Sequence, residues 1–344
     1  MANHVCLEHL TERMRQSDAA LKEEPSFSRM AKQPLQTDQL SAEDRALKSF
    51  LETIGVRVVF TDESLWHSDG LRMYVPLLCK GPISMSSESI KKLWRAGALF
   101  LRYPTGDNVP AFPGHIYLVD DKSYDLHSIS GNQRKETRRA LRKCTVAKIP
   151  MELLFRDGLD LIKDTYERQG RVCDQNTIEA WKKYFRAAAD NPAFEAWGAF
   201  VGTELAAYRV DFTYRGGFYG EALFNRRDLL KYQVMNALMF ISTKAAIGRP
   251  EIDHVSYGMR GLVGESAALN RFKESMGYRK VLVAERIEVA PWLRPSFNMG
   301  LSHVVHAVAG KYYNKSAKAR RICGMIQTYL KQRKNCLEQL SDPR

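Results

Sequence analysis

The stretch FEAWGAFVGTELAAYRVDFTYRGGFYGEALF (residues 194–224) contains three apolar segments separated by two short polar breaks. Each segment has the length and the aromatic content of a β-strand. The breaks, Gly202-Thr203-Glu204 and Arg215-Gly216-Gly217, are as short and as glycine-rich as hairpin turns. The stretch therefore predicts an antiparallel meander with strands at 194–202, 205–214 and 216–224.

The segments on either side of the meander alternate between helical and strand patterns. Before it, a short strand precedes two amphipathic helices, the second capped by Asn176. After it come a long helix, a strand, a helix with Gly277 as its C-cap, and a last strand. This order indicates one α/β domain at 146–289. The predicted flanking elements are 146–150, 151–170, 176–191, 229–248, 251–258, 263–278 and 279–289.

The rest of the chain divides into four further parts. Residues 1–42 are polar and contain Pro25 and Pro34, which predicts a flexible N-terminal arm. Residues 43–132 mix helix and strand patterns and predict a second α/β half. A strongly basic helix at 133–145 links this half to the domain. Residues 290–344 predict a basic helical appendage whose apolar positions, Val304 and Val308 among them, could pack on the body.

Composition and charge limit the classes of partner. The chain has 344 residues, 44% of them hydrophobic, which is typical of a globular protein. No apolar run is long enough to span a bilayer, and the N-terminal residues carry charges, so we expect a cytoplasmic protein. The net charge of +13 favours an anionic partner: a phosphate-bearing cofactor, RNA or a lipid surface. The six cysteines show no metal-binding spacing, and no metal site is predicted.

The segment LNRFKESMGYRK (269–280) and the order of elements around it resemble the GNAT (Gcn5-related N-acetyltransferase) superfamily. In that superfamily an aromatic-lysine pair followed by a Gly-aromatic turn leads into the closing strand, as Phe272-Lys273 and Gly277-Tyr278 do here. The basic segment NQRKETRRALRK (132–143) is similar to the linker of the FemAB-like branch. The resemblance implies a mixed, mostly antiparallel sheet flanked by helices, with 43–132 as a degenerate GNAT-like half.

The resemblance also implies a donor-binding loop after the fourth strand of the domain. GNAT proteins bind the cofactor pyrophosphate there with a glycine-containing pattern, Arg/Gln-x-x-Gly-x-Gly/Ala. This chain keeps basic residues but has no glycine, so its backbone cannot approach a phosphate as closely. Acetyl-CoA or another acyl-CoA remains the predicted donor, with aminoacyl-tRNA, which FemAB-type aminoacyltransferases use, as the alternative. The corresponding residues are Asn225, Arg226, Arg227, Leu230, Lys231 and Tyr232, which otherwise form only a polar turn and helix start.

Three residues are predicted to take part in catalysis. Glu221 lies on an apolar strand where GNAT enzymes often carry a general base, although an ion pair with Arg209 would explain it equally well. The usual tyrosine acid of the superfamily is replaced by Phe272, so Tyr257 is the nearest substitute, or else a core aromatic. Lys273 would stabilise a developing anion, unless it is a surface lysine. Arg260 and Arg209 are predicted to bind substrate.

Three functions are consistent with these residues. The first is an acyl-CoA-dependent N-acyltransferase acting on an amine of a small molecule or of a cell-envelope or polysaccharide precursor. The second is an aminoacyltransferase that uses charged tRNA. The third is a non-catalytic GNAT-fold binding protein. The basic appendage could face RNA or an anionic membrane, or simply pack on the body.

Overall fold

A computed structural model describes residues 40–69, 72–77, 81–106, 111–259, 267–312 and 317–341. In these residues a single eleven-stranded mixed sheet runs through the molecule in the order β1-β2-β3-β4-β11-β5-β10-β9-β8-β7-β6. Most neighbouring strands are antiparallel, and the parallel pairs are β3–β4 and β9–β10. The strands are Val58–Phe60, Leu65–Ser68, Met73–Pro76, Phe100–Thr105, Phe112–Val119, Thr145–Ile149, Phe194–Val201, Glu204–Tyr214, Gly217–Asn225, His254–Met259 and Arg279–Val289 (β1 to β11).

Helices cover the sheet and extend from its end. Shorter helical turns occur at Leu126–Ser128, Met151–Leu153, Leu154–Gly158, Leu230–Tyr232, Arg294–Ser296 and Phe297–Leu301. The longer helices are Ala42–Thr53, Ser87–Arg95, Gly131–Leu141, Leu159–Arg168, Gln175–Ala189, Val234–Ile247, Ala267–Ser275, Ser302–Lys311 and Ala317–Ser341 (α1 to α9). In the described part of the chain, none of them combines the length and the apolar content that crossing a membrane requires.

The central strands bury both faces. On β8, Tyr208 and Phe212 join the core cluster under α1, α4 and α5. Ala207, which points the other way, packs in a second cluster with α6. Because side chains alternate along a strand, one sheet separates two apolar layers. This arrangement confirms the predicted mixed, mostly antiparallel α/β fold.

The two halves of the chain share strands. The last strand, β11, lies between β4 and β5, both of which belong to the first half. Its register pairs Val289 with Phe100 on one side and Arg279 with Leu118 on the other. At its core side, Arg102 Nε of β4 donates to Glu285 Oε2 of β11 at 2.8 Å. The sheet is therefore continuous across the predicted boundary at 133–145.

The meander forms as predicted, with tight turns and bounds shifted by no more than one residue at most ends. The helix after it begins later than the predicted 229, at Val234, because residues 230–232 form a separate 3-10 turn. Asp174, rather than Asn176, caps α5: its carboxylate accepts from the backbone N–H of Thr177.

The C-terminal appendage is helical, as predicted, but one of its apolar faces is not buried. Val305, Ile322, Ile326 and Leu330 pack with strands of the first half. Val304 and Val308 are 60% and 53% exposed, so the prediction that they pack on the body is wrong.

Candidate active site

A cavity of about 500 Å³ opens where strands β9 and β10 part. The two strands pair in parallel only from Gly217–Tyr219 to His254–Ser256, although β9 continues to Asn225. Beyond the last pair, the side chains of β9 and Tyr257 of β10 line the space between them. The remaining walls come from α4, α6, α7 and the basic helix α3, which contributes Gln133.

A β-bulge places Glu221 at this opening. Val210 of β8 is opposite Ala222 and Asp211 is opposite Gly220, so Glu221 has no partner residue across the strand pair. The neighbours show the same irregularity, since Tyr219 and Ala222 join the same core cluster despite their odd spacing. A bulge re-aims one side chain relative to a regular strand. Here it supplies Glu221 to the cavity wall.

The environment of Glu221 favours a protonated carboxyl near neutral pH. Burial, and to a smaller extent the charge of Asp69, raises the pKa of Glu221 to about 8. Among the described residues, no hydrogen bond and no cation stabilises its charged form. A carboxyl group with a pKa near the working pH is suited to general acid-base chemistry.

Arg209 is paired with Asp211 rather than with Glu221, so the alternative explanation of Glu221 as its ion-pair partner is wrong. Arg209 Nε lies 2.9 and 2.8 Å from the two carboxylate oxygens of Asp211, and both side chains are buried. Arg209 Nη1 also donates to Ser242 Oγ of α6 at 3.1 Å. Gly220 has no side chain to displace the guanidinium, which passes beside it into the cavity wall.

Tyr257 and Lys273 lie side by side. Tyr257 lines the cavity and is partly buried, and burial raises its pKa above the ordinary value. Lys273 is 1% exposed, so its description as a surface lysine is wrong. Its Nζ lies 4.6 Å from the ring centre of Tyr257 and 4.7 Å from that of Tyr117. Lys273 therefore contacts the ring of Tyr257 and is not among the residues that line the cavity.

The predicted donor loop at 225–232 contributes one wall residue, Asn225. Arg226 pairs with Glu204 and Asp228, and Arg227 lies 3.6 Å from Asp164. Lys231 is exposed and lies over the ring of Tyr232. These side chains and Leu230 lie outside the cavity wall, so their role in binding a donor stays a prediction. Arg260, the other predicted substrate contact, is outside the described residues.

The start of α6 supplies polar groups that the sequence did not single out. Gln233, with a left-handed φ of 56°, ends the 3-10 turn and begins the helix, so Gln233, Met235 and Asn236 face the cavity. Asn236 is 2% exposed, and its Nδ2 donor has no hydrogen-bond partner among the described residues. A buried, unpaired donor is costly unless a ligand pairs with it.

Arg168 adds a cation at the cavity wall. It is exposed, and its Nη2 donates to Asn225 Oδ1 at 2.7 Å, which holds the guanidinium beside the loop. Helix N-termini and nearby arginines bind anionic groups such as phosphates. The sequence alone did not indicate a binding role for Arg168, because this residue ends an ordinary amphipathic helix. Only the fold brings it to the loop 57 residues further along the chain.

Comparison with known proteins supports the fold. No protein-family model matches the sequence, and no curated protein matches it. The structure is similar to the crystal structure of FemX, with a TM-score of 0.52 at 11% identity, over 75% of this chain and 93% of that one. It is also similar to the C-terminal domain (DUF2156) of a putative lysylphosphatidylglycerol synthetase from Agrobacterium fabrum, with a TM-score of 0.51 at 11% identity, over 83% and 93%. The fold that the resemblance to GNAT and FemAB-like proteins implied is therefore confirmed.

Proposed function

We propose that the protein is an N-acyltransferase that transfers an acyl group to an amine in the cavity between β9 and β10. The observation that carries the proposal is Glu221, which a bulge supplies to the cavity and whose pKa burial raises to about 8. Transfer to an amine requires a base for the ammonium proton, and Glu221 is the carboxyl group among the described residues that line the cavity.

In the proposed reaction, the ionised form of Glu221, which is roughly a tenth of the molecules at pH 7 for a pKa of about 8, accepts a proton from the acceptor ammonium. The neutral amine attacks the acyl carbonyl carbon, a C–N bond forms, and the C–S bond to the leaving thiol breaks. Tyr257 is protonated at neutral pH, because burial raises its pKa; its hydroxyl gives a proton to the thiolate and takes the excess proton from the new amide nitrogen, so that it ends neutral. Glu221 then releases its proton to solvent. Lys273, held against the Tyr257 ring, positions that hydroxyl and does not touch the substrate.

The wall residues fit an acyl-CoA donor. Asn236 Nδ2 would donate to the acyl carbonyl or to the pantetheine chain, which would satisfy its missing hydrogen bond. The first turn of α6 and the guanidinium of Arg168 would hold the pyrophosphate. CoA would supply the activated thioester. The acceptor would be an amine of a small molecule or of a cell-envelope or polysaccharide precursor.

A second candidate is aminoacyl transfer from charged tRNA. One observation favours it. Arg226 and Arg227 of the loop already pair with acidic residues, whereas the end of α3, beside the cavity, carries several exposed cations. Such a surface suits the backbone of a tRNA acceptor arm. The exposed cations are Lys135, Arg138, Arg142 and Lys143, and Arg139 pairs with Glu136.

Glutamine at position 221 tests the catalytic proposal. We expect Glu221→Gln to lower kcat/KM for acetyl-CoA and an amine by roughly 10²–10⁴-fold, measured as thiol release. Glu167→Gln is the matched control, because Glu167 is exposed on the neighbouring helix α4 and does not line the cavity. Full turnover by Glu221→Gln would remove this residue from the mechanism.

The donor is tested by thermal stability with acetyl-CoA and, separately, with bulk tRNA. A ligand at about a hundred times its Kd stabilises the folded state by about 2.7 kcal/mol. If acetyl-CoA is the donor, its stabilisation should fall in Asn236→Ala and in Arg168→Ala. Stabilisation by tRNA alone would favour the second candidate. If neither ligand raises the melting temperature, both transferase proposals are contradicted and the non-catalytic binding protein is favoured.

A further inference from the structure

A stripe of exposed apolar side chains runs along α8, from the turn that precedes it to Tyr312, the residue that follows it. Val304, Val308 and Tyr312 are spaced by four residues and are 60%, 53% and 57% exposed. Residues four apart share one face of a helix. Met299 and Leu301, at 81% and 38%, extend the same segment towards the N-terminus. We call these five residues the apolar stripe.

The apolar stripe is not the packing face of the helix. Ser302, Val305 and Ala309 form that face, and Ala309 packs with Cys323 of α9. The helix is therefore already docked on the body, and its second apolar face is left in solvent. An exposed apolar patch of this kind marks an interaction surface.

The segment of chain that carries the apolar stripe has charges of one sign. From residue 289 to residue 337 the sequence contains no Asp or Glu, and it contains nine Lys and Arg residues. Lys311 on α8 and Lys331 on α9 are exposed. Arg321, by contrast, is buried and pairs with Asp69, which fixes α9 to the first half of the chain.

We propose that the apolar stripe docks the protein on an anionic membrane surface. A helix that presents apolar side chains beside lysines lies in the interface plane, with the apolar groups among the acyl chains and the cations at anionic headgroups. A second copy of the chain would bring the same acid-free segment against itself, with like charges opposed. RNA would pair with the lysines but would leave valine and methionine side chains without a complementary surface. Exposed Trp292, in the same segment, suits the headgroup region.

Vesicle binding by the full chain tests the proposal. We expect it to sediment with phosphatidylcholine vesicles that contain about 30% phosphatidylglycerol, but only weakly with pure phosphatidylcholine vesicles or at high salt. The variant Val304→Gln/Val308→Gln should bind the anionic vesicles roughly tenfold more weakly. The matched control is Val172→Gln/Leu282→Gln, which changes residues that are 77% and 76% exposed elsewhere and should bind like the wild type.

Three results would overturn the proposal. The first is absence of wild-type binding to anionic vesicles, or an equal loss in the stripe variant and its control. The second is a dimer in sedimentation equilibrium that the stripe variant abolishes, which would assign the stripe to a second copy. The third is tRNA binding that the stripe variant abolishes. Equal urea midpoints of the two variants establish that both are folded.

Discussion

Replacing Glu221 with glutamine should stabilise the protein at alkaline pH and change it little at acid pH. In the wild type, burial raises the pKa of this carboxyl from 4.5 to about 8. Between those two values the unfolded chain has lost the proton while the folded protein still holds it. The free energy of unfolding therefore falls as pH rises through that window and is constant above it.

The structure sets the size of the effect. The gap between the two pKa values corresponds to a change of at most about 5 kcal/mol in the free energy of unfolding, at ~1.4 kcal/mol per pH unit. Glu221 is partly exposed, so solvent screening reduces the effect to roughly 2–3 kcal/mol. Glutamine has nearly the same shape and carries no charge, so we expect Glu221→Gln to be more stable than the wild type by that amount at pH 9, and to differ by less than about 1 kcal/mol at pH 5.

Urea unfolding at pH 5 and pH 9 measures this difference without a substrate. Glu167→Gln removes an exposed carboxylate on α4 and should shift stability equally at both pH values. If Glu221→Gln and the wild type have the same pH dependence, the carboxyl is not buried in the way described, and the argument for its role as a base is refuted.

Three further changes should each lower the free energy of unfolding, measured by urea denaturation at neutral pH. Asp211→Asn leaves a buried guanidinium without its counter-ion and should cost about 3–5 kcal/mol; a loss below about 1 kcal/mol would contradict the pairing. Gly114→Ala places a methyl group on the Glu285 carboxylate and should cost about 1–3 kcal/mol, whereas Gly131→Ala meets no atom within 4 Å and should cost little. Lys273→Met removes the cation held between two tyrosine rings and should cost about 1–2 kcal/mol, with an unchanged midpoint as the contrary result.

The local pattern of the sequence predicted most of the elements. The meander at 194–224 followed from the alternation of apolar residues and the glycine turns, both of which act over a few residues. The late start of α6 was missed because it depends on the left-handed Gln233, a conformation that glutamine rarely adopts. The strand β2, Leu65–Ser68, was missed because four residues carry too little periodicity.

The candidate site was only partly predictable. Glu221 and Tyr257 were proposed from the resemblance to GNAT enzymes, and both line the cavity. The bulge that separates Glu221 from Arg209 depends on the pairing of two strands, which no single-strand pattern records. Asn236 and Arg168 were not proposed, since their importance comes from a missing hydrogen bond and from a contact between distant elements.

The position of β11 has a consequence for how the chain is made. Its partners on β4 are separated from it by up to 189 residues, as in the pair Phe100 and Val289. Tyr103 and Glu288, which share a hydrogen bond, are 185 residues apart. On the ribosome, the edges of β4 and β5 must wait until residue 289 has emerged before they can pair. The nascent first half therefore carries three unprotected strand edges for most of synthesis, one on β4 and two on β5, and such edges favour association with other chains. For the same reason, a fragment that ends near residue 145 should fail to fold alone.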